Sequence, residues 1–355
     1  MIQLVILFGV HLRVARYQSS TDTQSRPPVS VLIAARNEEK NLRENLPLIL
    51  SQNYPEFQVI VVNHASYDGT GELLEELKAE HPNLHIINLP EGRVSDGGKK
   101  LAITLGMKGA LHDRVLLTDA DCKPPGSDWI QSMVSKAHKP DDIILGYSPY
   151  EKESGLLNAL IRFDGLFTAM NYLGFALSGM PYMGVGRNLS YSRSSFFEVG
   201  GFRSHYSIDS GDDDLLINQI ARKENVRISP EPLSHTLTKA KTSWKSYLRQ
   251  KRRHLSTSWY YRPLHRRLLA LQALSLMLFY ICGAVLIAMA VYPLLITGVI
   301  VLRLLAVALI FRAASRYLRH KDLAFFAPLL ELLILVFNSL AHLANATTKK
   351  TRWKT

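Results

Sequence analysis

The sequence predicts an α/β domain, a mostly parallel sheet with helices on both faces, followed by C-terminal transmembrane helices. β-branched runs alternate with helical patterns from residue 28 onward, residues 268 to 302 hold no charged side chain, and charge is unevenly divided along the chain. Regular βα alternation argues for a parallel sheet, whose ligands bind at the carboxyl ends of its strands. The 355 residues carry a net charge of +12, a value that would by itself raise nucleic acid as a partner. The distribution argues otherwise: Pro232 to Lys321 contains fifteen Lys/Arg and no Asp or Glu, whereas residues 1 to 231 hold 23 basic and 28 acidic residues. The basic excess belongs to a membrane-proximal segment, and no nucleic acid is expected. Cys122 and Cys282, far apart and outside any CxxC pattern, support neither a disulfide framework nor a structural zinc site, and they fit a reducing compartment.

Residues 1–27 are a short apolar anchor and linker, since Met1 to Leu12 is too short for a full span and lacks a cleavage-like site. Residues 28–240 form the α/β domain. Its strands are expected at Val29 to Ala35, Phe57 to Val62, Leu84 to Leu89 and Val115 to Thr118, with helices at Glu38 to Leu50, Gly71 to Glu80, Gly98 to Ala110 and about Asp212 to Lys223. Residues 241–267 interleave Lys/Arg with Trp244, Tyr247, Trp259, Tyr260 and Tyr261, which suits interface helices meeting anionic headgroups. At ~1.5 Å per residue, one helix over 268 to 302 would overshoot a ~30 Å hydrocarbon core, so a hairpin is the simpler reading. Spans are placed at 268–290, 292–311 and 323–346, the last interrupted by Pro328 and Glu331, with a basic tail at 347–355. Lysines and arginines before the first span, and Arg312, Arg316, Arg319 and Lys321 between the second and third, place the soluble domain in the cytoplasm by the positive-inside rule. The tail lysines Lys349, Lys350 and Lys354 with Arg352 would then lie outside unless the third segment is re-entrant. Arg303 and Glu331 fall within apolar runs, where a mutual pair would offset the cost of either alone.

The residues just after each strand are the ones to inspect for chemistry. Ala34-Ala35-Arg36-Asn37-Glu38-Glu39 follows the first strand, Asn63-His64-Ala65-Ser66-Tyr67-Asp68-Gly69-Thr70 the second, and Asp119-Ala120-Asp121 the fourth. Alternation puts both carboxylates of an extended D-x-D on one side of the chain, able to face a divalent cation and a diphosphate. Any one such turn could be ordinary helix capping. Three converging on one sheet edge are harder to ascribe to coincidence.

The sequence here resembles the inverting family 2 glycosyltransferases, which have the GT-A nucleotide-sugar-binding fold. The resemblance covers roughly residues 28 to 260. "VSVLIAARNEEKNL" and "VIVVNHASYDGTGE" are similar to the family's first two strands and turns, "GGKKLAITLGMKGA" to its G-K helix, and "VLLTDADCKPPGSDWI" to the strand ending in D-A-D. "GVGRNLSYSRSSFFEVGGF" resembles the acceptor-side G-x-N-x-x-x-R-R segment, "GDDDLLINQIA" the G-D-D motif, and "QKRRH" the Q-x-x-R-W motif.

The resemblance implies roles by position. Ala35, Arg36, Glu38, Asn63 and His64 would hold the nucleobase, although the family's acidic pair there is replaced by Asn63-His64. Lys99 would lie near the diphosphate, Asp119 near the ribose and the metal, and Asp121 would ligate Mg2+ or Mn2+, with His235 a possible further ligand or an ordinary loop histidine. Asp213 aligns as the base, and Asp212, Asn188 and His254 as acceptor-side residues. Gln250, Arg252 and Arg253 would support the donor, while His254 stands where polymer-forming members have Trp. The expected function is a metal-dependent transfer from a nucleotide sugar, UDP-linked by preference, to a lipid or lipid-linked glycan at the cytoplasmic face of the inner (plasma) membrane. The alternatives are a processive polysaccharide synthase of the cellulose, chitin or hyaluronan type, for which three spans are few unless chains associate through them as a homo-oligomer, and a non-enzymatic scaffold.

Overall fold

The computed structural model describes residues 1–19, 26–89 and 98–347, so the basic tail lies outside the described residues. The chain divides into two compact units: one of Met1–Gln18, Lys152–Met180 and Lys241–Lys349, the other built from Ser19–Glu151 and Pro181–Ala240.

The second unit is the α/β domain. β1 (Val29–Ala35), β2 (Phe57–His64), β3 (Leu84–Leu89) and β4 (Arg114–Asp119) pair in parallel in the order β3-β2-β1-β4. β7 (Leu189–Ser192) runs antiparallel against β4 and against β6 (Ile143–Gly146), and β8 (Val226–Ser229) pairs in parallel with β6 to complete seven strands. A two-stranded patch joins β5 (Cys122–Lys123) to β9 (Leu237–Thr238). Alternation along β1 explains the layering: Val29, Val31, Ile33 and Ala35 share a core with Leu42, Leu46 and Ile49 of α3 (Glu39–Leu50), Leu73 and Leu74 of α4 (Thr70–Glu80), and Trp129 and Met133 of α6 (Trp129–Val134). Leu32 points the other way, where a Cβ on Gly106 of α5 (Gly98–Gly109) would lie 2.1 Å from its Cδ1, so only glycine lets helix and strand approach this closely. The expected early strands agree with those formed to within two residues, but the helix expected at Asp212 to Lys223 is the shorter α9 (Asp214–Ile220), ending where Ala221 turns extended. α8 (Arg193–Glu198) follows β7.

The first unit is helical. α1 (Ile2–Ile6), a π-turn at Leu7–His11 and α2 (Leu12–Ala15) make one apolar helix, Ile2–Ala15, at ~1.5 Å per residue too short to cross a bilayer alone. α7 (Leu156–Leu177) packs on α2 and α13 (Ala327–Thr347), so residues 152–180 cluster with the terminal helices instead of with the α/β domain that 28–240 was expected to form. Among the described residues three helices are long and apolar enough to cross a membrane: α11 (Pro263–Ala288), α12 (Pro293–Leu318) and the Ala327–Asn345 part of α13. The interface segment condenses into α10 (Trp244–Ser256) and a short 3-10 turn, and α11 begins at Pro263, several residues earlier than expected. Arg303 and Glu331 do pair, through Nη1–Oε2 at 2.8 Å and Nη2–Oε1 at 3.0 Å, with Tyr280 Oη and Gln3 Oε1 taking further guanidinium hydrogen bonds.

Candidate active site

The carboxyl ends of β1, β2 and β4 carry the three polar turns. The first two are laced together. Asn37 N–H donates to Ser66 Oγ (2.9 Å), Glu38 N–H to Thr70 Oγ1 (3.0 Å), Glu39 N–H to Asp68 Oδ2 (3.2 Å), and Tyr67 N–H to Asn37 Oδ1 (3.0 Å). Ala35 is buried at the end of β1, while Arg36 and Glu38 stay partly accessible. Two expectations change here. Asn63 was expected to be open to a base, but it spends its Nδ2 on Asn88 Oδ1 (3.0 Å) and its Oδ1 on Ser66 N–H (3.3 Å). His64 is fully buried, and burial, then Arg36, lowers its pKa, so a neutral ring is held inside the sheet edge.

The third turn meets the acidic motif. Asn45 Nδ2 donates to Ala120 O (3.0 Å) and fixes the D-A-D backbone. Lys99, in the first turn of α5, reaches Asp119 Oδ1 at 2.7 Å and Asp212 Oδ2 at 3.2 Å, so one ammonium bridges both motifs. A small cavity beneath it is lined by Ala34, Thr118, Asp119, Gly186 and Asp212 among others. Burial alone would lower the Lys99 pKa, but Asp119, Asp212 and Asp213 raise it well above the ordinary value. Lys100 is buried and donates to His205 O (2.6 Å) and Ile208 O (2.5 Å), pinning the loop that leads to the acids. Gly211 opens that motif at φ +96°, where an added Cβ would lie 2.4 Å from Leu215 Cδ1.

Asp213 is the N-cap of α9. Its Oδ1 accepts from Asp214 N–H (2.7 Å) and its Oδ2 from Gly186 N–H (2.8 Å). Burial first, then Asp212 and Asp214, push its pKa up to about 7 against the opposing pull of Lys99. A carboxylate aimed by two backbone N–H groups and poised near neutrality can accept a proton from a hydroxyl.

His235 and Asn188 are engaged inside the fold. His235 is fully buried, with Nε2 at 2.9 Å from Pro230 O and its ring against Tyr147, and among the described residues no three His, Cys, Asp or Glu side chains gather as a ligand set. Asn188 is a buried tie: Nδ2 donates to Tyr147 O (2.9 Å) and Ser234 O (2.6 Å), and Oδ1 accepts from Trp129 Nε1 (3.2 Å). Its polar atoms are occupied inside the fold, which leaves none for an acceptor. Within the helical unit, α10 carries Gln250, Arg252, Arg253 and His254; Arg252 bonds Asn345 Oδ1 (2.9 Å) and Ala344 O (3.2 Å), and Gln250 Oε1 and Arg253 Nε are buried without a hydrogen-bond partner among the described residues. Lys100, the second lysine of the G-K helix, could from the sequence as well have faced solvent and is buried instead. Sequence reasoning passed over the buried Asp164, whose Oδ1 lies 2.6 Å from Lys251 Nζ and whose Oδ2 accepts from Tyr247 Oη (2.9 Å); it stands in no motif, and only burial identifies it.

Residues 30–199 match the sequence profile of Glycosyl transferase family 2. A poly-β-1,6-N-acetyl-D-glucosamine synthase of Staphylococcus aureus (strain COL) is 32% identical over 209 residues, 58% of this chain and 48% of that protein. One from Staphylococcus epidermidis is 34% identical over 93 residues, 26% of this chain and 21% of that protein. The matched regions thus span half or less of these relatives. A mannosyltransferase of Pyrobaculum calidifontis, solved in complex with GDP-Man and Mn2+, is similar in fold with a TM-score of 0.63 at 18% identity, covering 98% of this chain and 96% of that one. The α/β domain is thus GT-A-like and is followed by long apolar helices.

Proposed function

We propose that this chain, with its family 2 glycosyl transferase segment at residues 30–199, is an inverting glycosyltransferase that uses a nucleotide sugar, by preference UDP-linked, at the cytoplasmic face of a membrane. The observation that carries the reading is the continuous link Asp119–Lys99–Asp212 running into the capped Asp213, which ties a donor-side acid to a base. Asp213 takes the proton of the acceptor hydroxyl as that oxygen attacks the anomeric carbon from the face opposite the leaving diphosphate. Lys99, held charged by its acidic neighbours, keeps positive charge beside the position where negative charge grows. Asp119 and Asp121 are hard oxygen donors at the end of β4, which fits Mg2+ or Mn2+ with the diphosphate completing the ligands; such an ion, when bound, neutralises charge on the leaving group.

Of the two modes of transfer, the names of the curated relatives support repeated addition, with N-acetylglucosamine the first sugar to try. Three candidate spans would then call for association of chains to pass a polymer. Single addition to a lipid or lipid-linked glycan is the second reading, supported by His254 in place of the tryptophan of polymer-forming members. Incubating the purified full chain with a panel of UDP- and GDP-sugars, Mn2+ and lipid acceptors tests both. Long products support the synthase and one-sugar products the second reading. Asp213→Asn should lower turnover by roughly 100-fold or more, and unchanged turnover would remove Asp213 as the base.

A further inference from the structure

We infer that Arg187 is a phosphate-binding residue of this site, whose guanidinium grips the donor's diphosphate; the inference rests on the nucleotide-sugar reading above. No motif of the resemblance assigns Arg187 a role, since it occupies the variable position of G-x-N.

Its backbone is pinned on both sides of the chemistry. The preceding Gly186 N–H donates to Asp213 Oδ2 (2.8 Å). Arg187 O accepts from Thr118 Oγ1 (3.0 Å), on the residue before Asp119, and from Thr236 Oγ1 (2.9 Å). The residue thus straps the base to the D-A-D turn. Its side chain lies over the Tyr150 ring, with Cζ 4.6 Å from the centroid. Tyr150 bridges Thr238, and Thr238 pairs on β9 with Cys122, the residue after Asp121, so the guanidinium rests beside the same turn. Burial opposes its charge, but Tyr150 and Cys122, then Asp121 and Asp119, outweigh that and hold its pKa above the ordinary value.

Among the described residues that guanidinium makes no hydrogen bond and no ion pair. The arginine is half-buried and its donors, unspent within the protein, are left for a ligand's oxygens to take. The neighbouring cations are committed: Lys99 to Asp119 and Asp212, Lys100 to two backbone carbonyls. A fork of planar N–H donors matches phosphate oxygens bidentately, as an ammonium does not. As the anomeric C–O bond breaks, its electron pair passes to the diphosphate oxygen, and the guanidinium stabilises that charge without moving a proton.

The test uses the full chain in detergent at fixed Mg2+, measuring thermal stabilisation by inorganic pyrophosphate, UDP and uridine. The expected result is stabilisation of wild type by pyrophosphate and UDP, Arg187→Gln weakening both affinities at least tenfold at an unchanged ligand-free Tm, and Arg187→Lys falling between. Arg187→Lys alone decides the matter if the glutamine variant fails to fold. Absence of pyrophosphate binding by wild type, or variant affinities within twofold of it, overturns the inference. Loss of affinity only for a lipid-phosphate acceptor, with UDP binding intact, also overturns it and places the phosphate on the acceptor. Arg187-dependent pyrophosphate binding without turnover of any sugar nucleotide would instead retain the site and remove the donor reading beneath it.

Discussion

Asp213 is held at the start of α9 by two backbone N–H groups. Its carboxyl titrates at about 7 in the folded chain against an ordinary 3.8, because burial and the adjacent Asp212 and Asp214 disfavour its charge. The proposed role of base requires the ionised form, present above that value, so it predicts that kcat/KM rises through about pH 7 and levels off, as a pH–rate profile would reveal. The stability consequence has the opposite sign. The unfolded chain loses this proton near 3.8 and the folded chain near 7, so stability falls as pH climbs between them. Asp213→Asn removes that penalty and keeps an acceptor for one backbone N–H. Calorimetry at pH 8 should find this variant more heat-stable than wild type by a few degrees; a lower Tm would mean that the two N–H contacts outweigh the charge. The meeting of Asp119, Lys99 and Asp212 was foreshadowed by motifs at the ends of elements, one closing a strand and two opening helices. The engagement of Asn188 and His235 inside the fold was not legible, because a motif position carries no record of which neighbours exhaust a side chain's hydrogen bonds.

At the scale of elements, β1 to β4 could be read from their β-branched runs and the turns after them. The four-residue strands β6, β7 and β8 could not, since runs that short carry too little alternation to separate from loop. The membrane helices were legible from composition, and so was their internal ion pair. Arg303 and Glu331 are both about 4% exposed, and the bidentate contact is supplemented by Gln3 and Tyr280. Removing one partner strands a buried charge. Arg303→Ala should cost about 3–5 kcal/mol, read as lost stability in detergent. The charge-swapped pair Arg303→Glu with Glu331→Arg should recover part of it, because Gln3 and Tyr280 remain oriented for the original arrangement. A double variant no more stable than Arg303→Ala would show that the pair itself contributes little.

For the whole molecule, topology is the testable property. Reporters placed between α11 and α12 and between α12 and α13 should fall on opposite sides of the membrane, with the second, flanked by Arg316, Arg319 and Lys321, on the cytoplasmic side. Reporters on one side would remove α12 as a crossing helix. The chain's path between its two units adds a constraint on synthesis. Residues 152–180 leave the α/β unit to form α7 and return at Pro181, so that unit is assembled from two stretches separated by a helix whose packing partners include α13, made more than a hundred residues later. A chain halted after residue 240 holds α7 against α2 and the π-turn, yet it lacks α13 and Phe311 of α12, on which Phe163 stacks. No single cut separates the two units: in the ribosome's order of events, α7 emerges with only the N-terminal helix to cover it, and the rest of its cover arrives with the last two apolar helices.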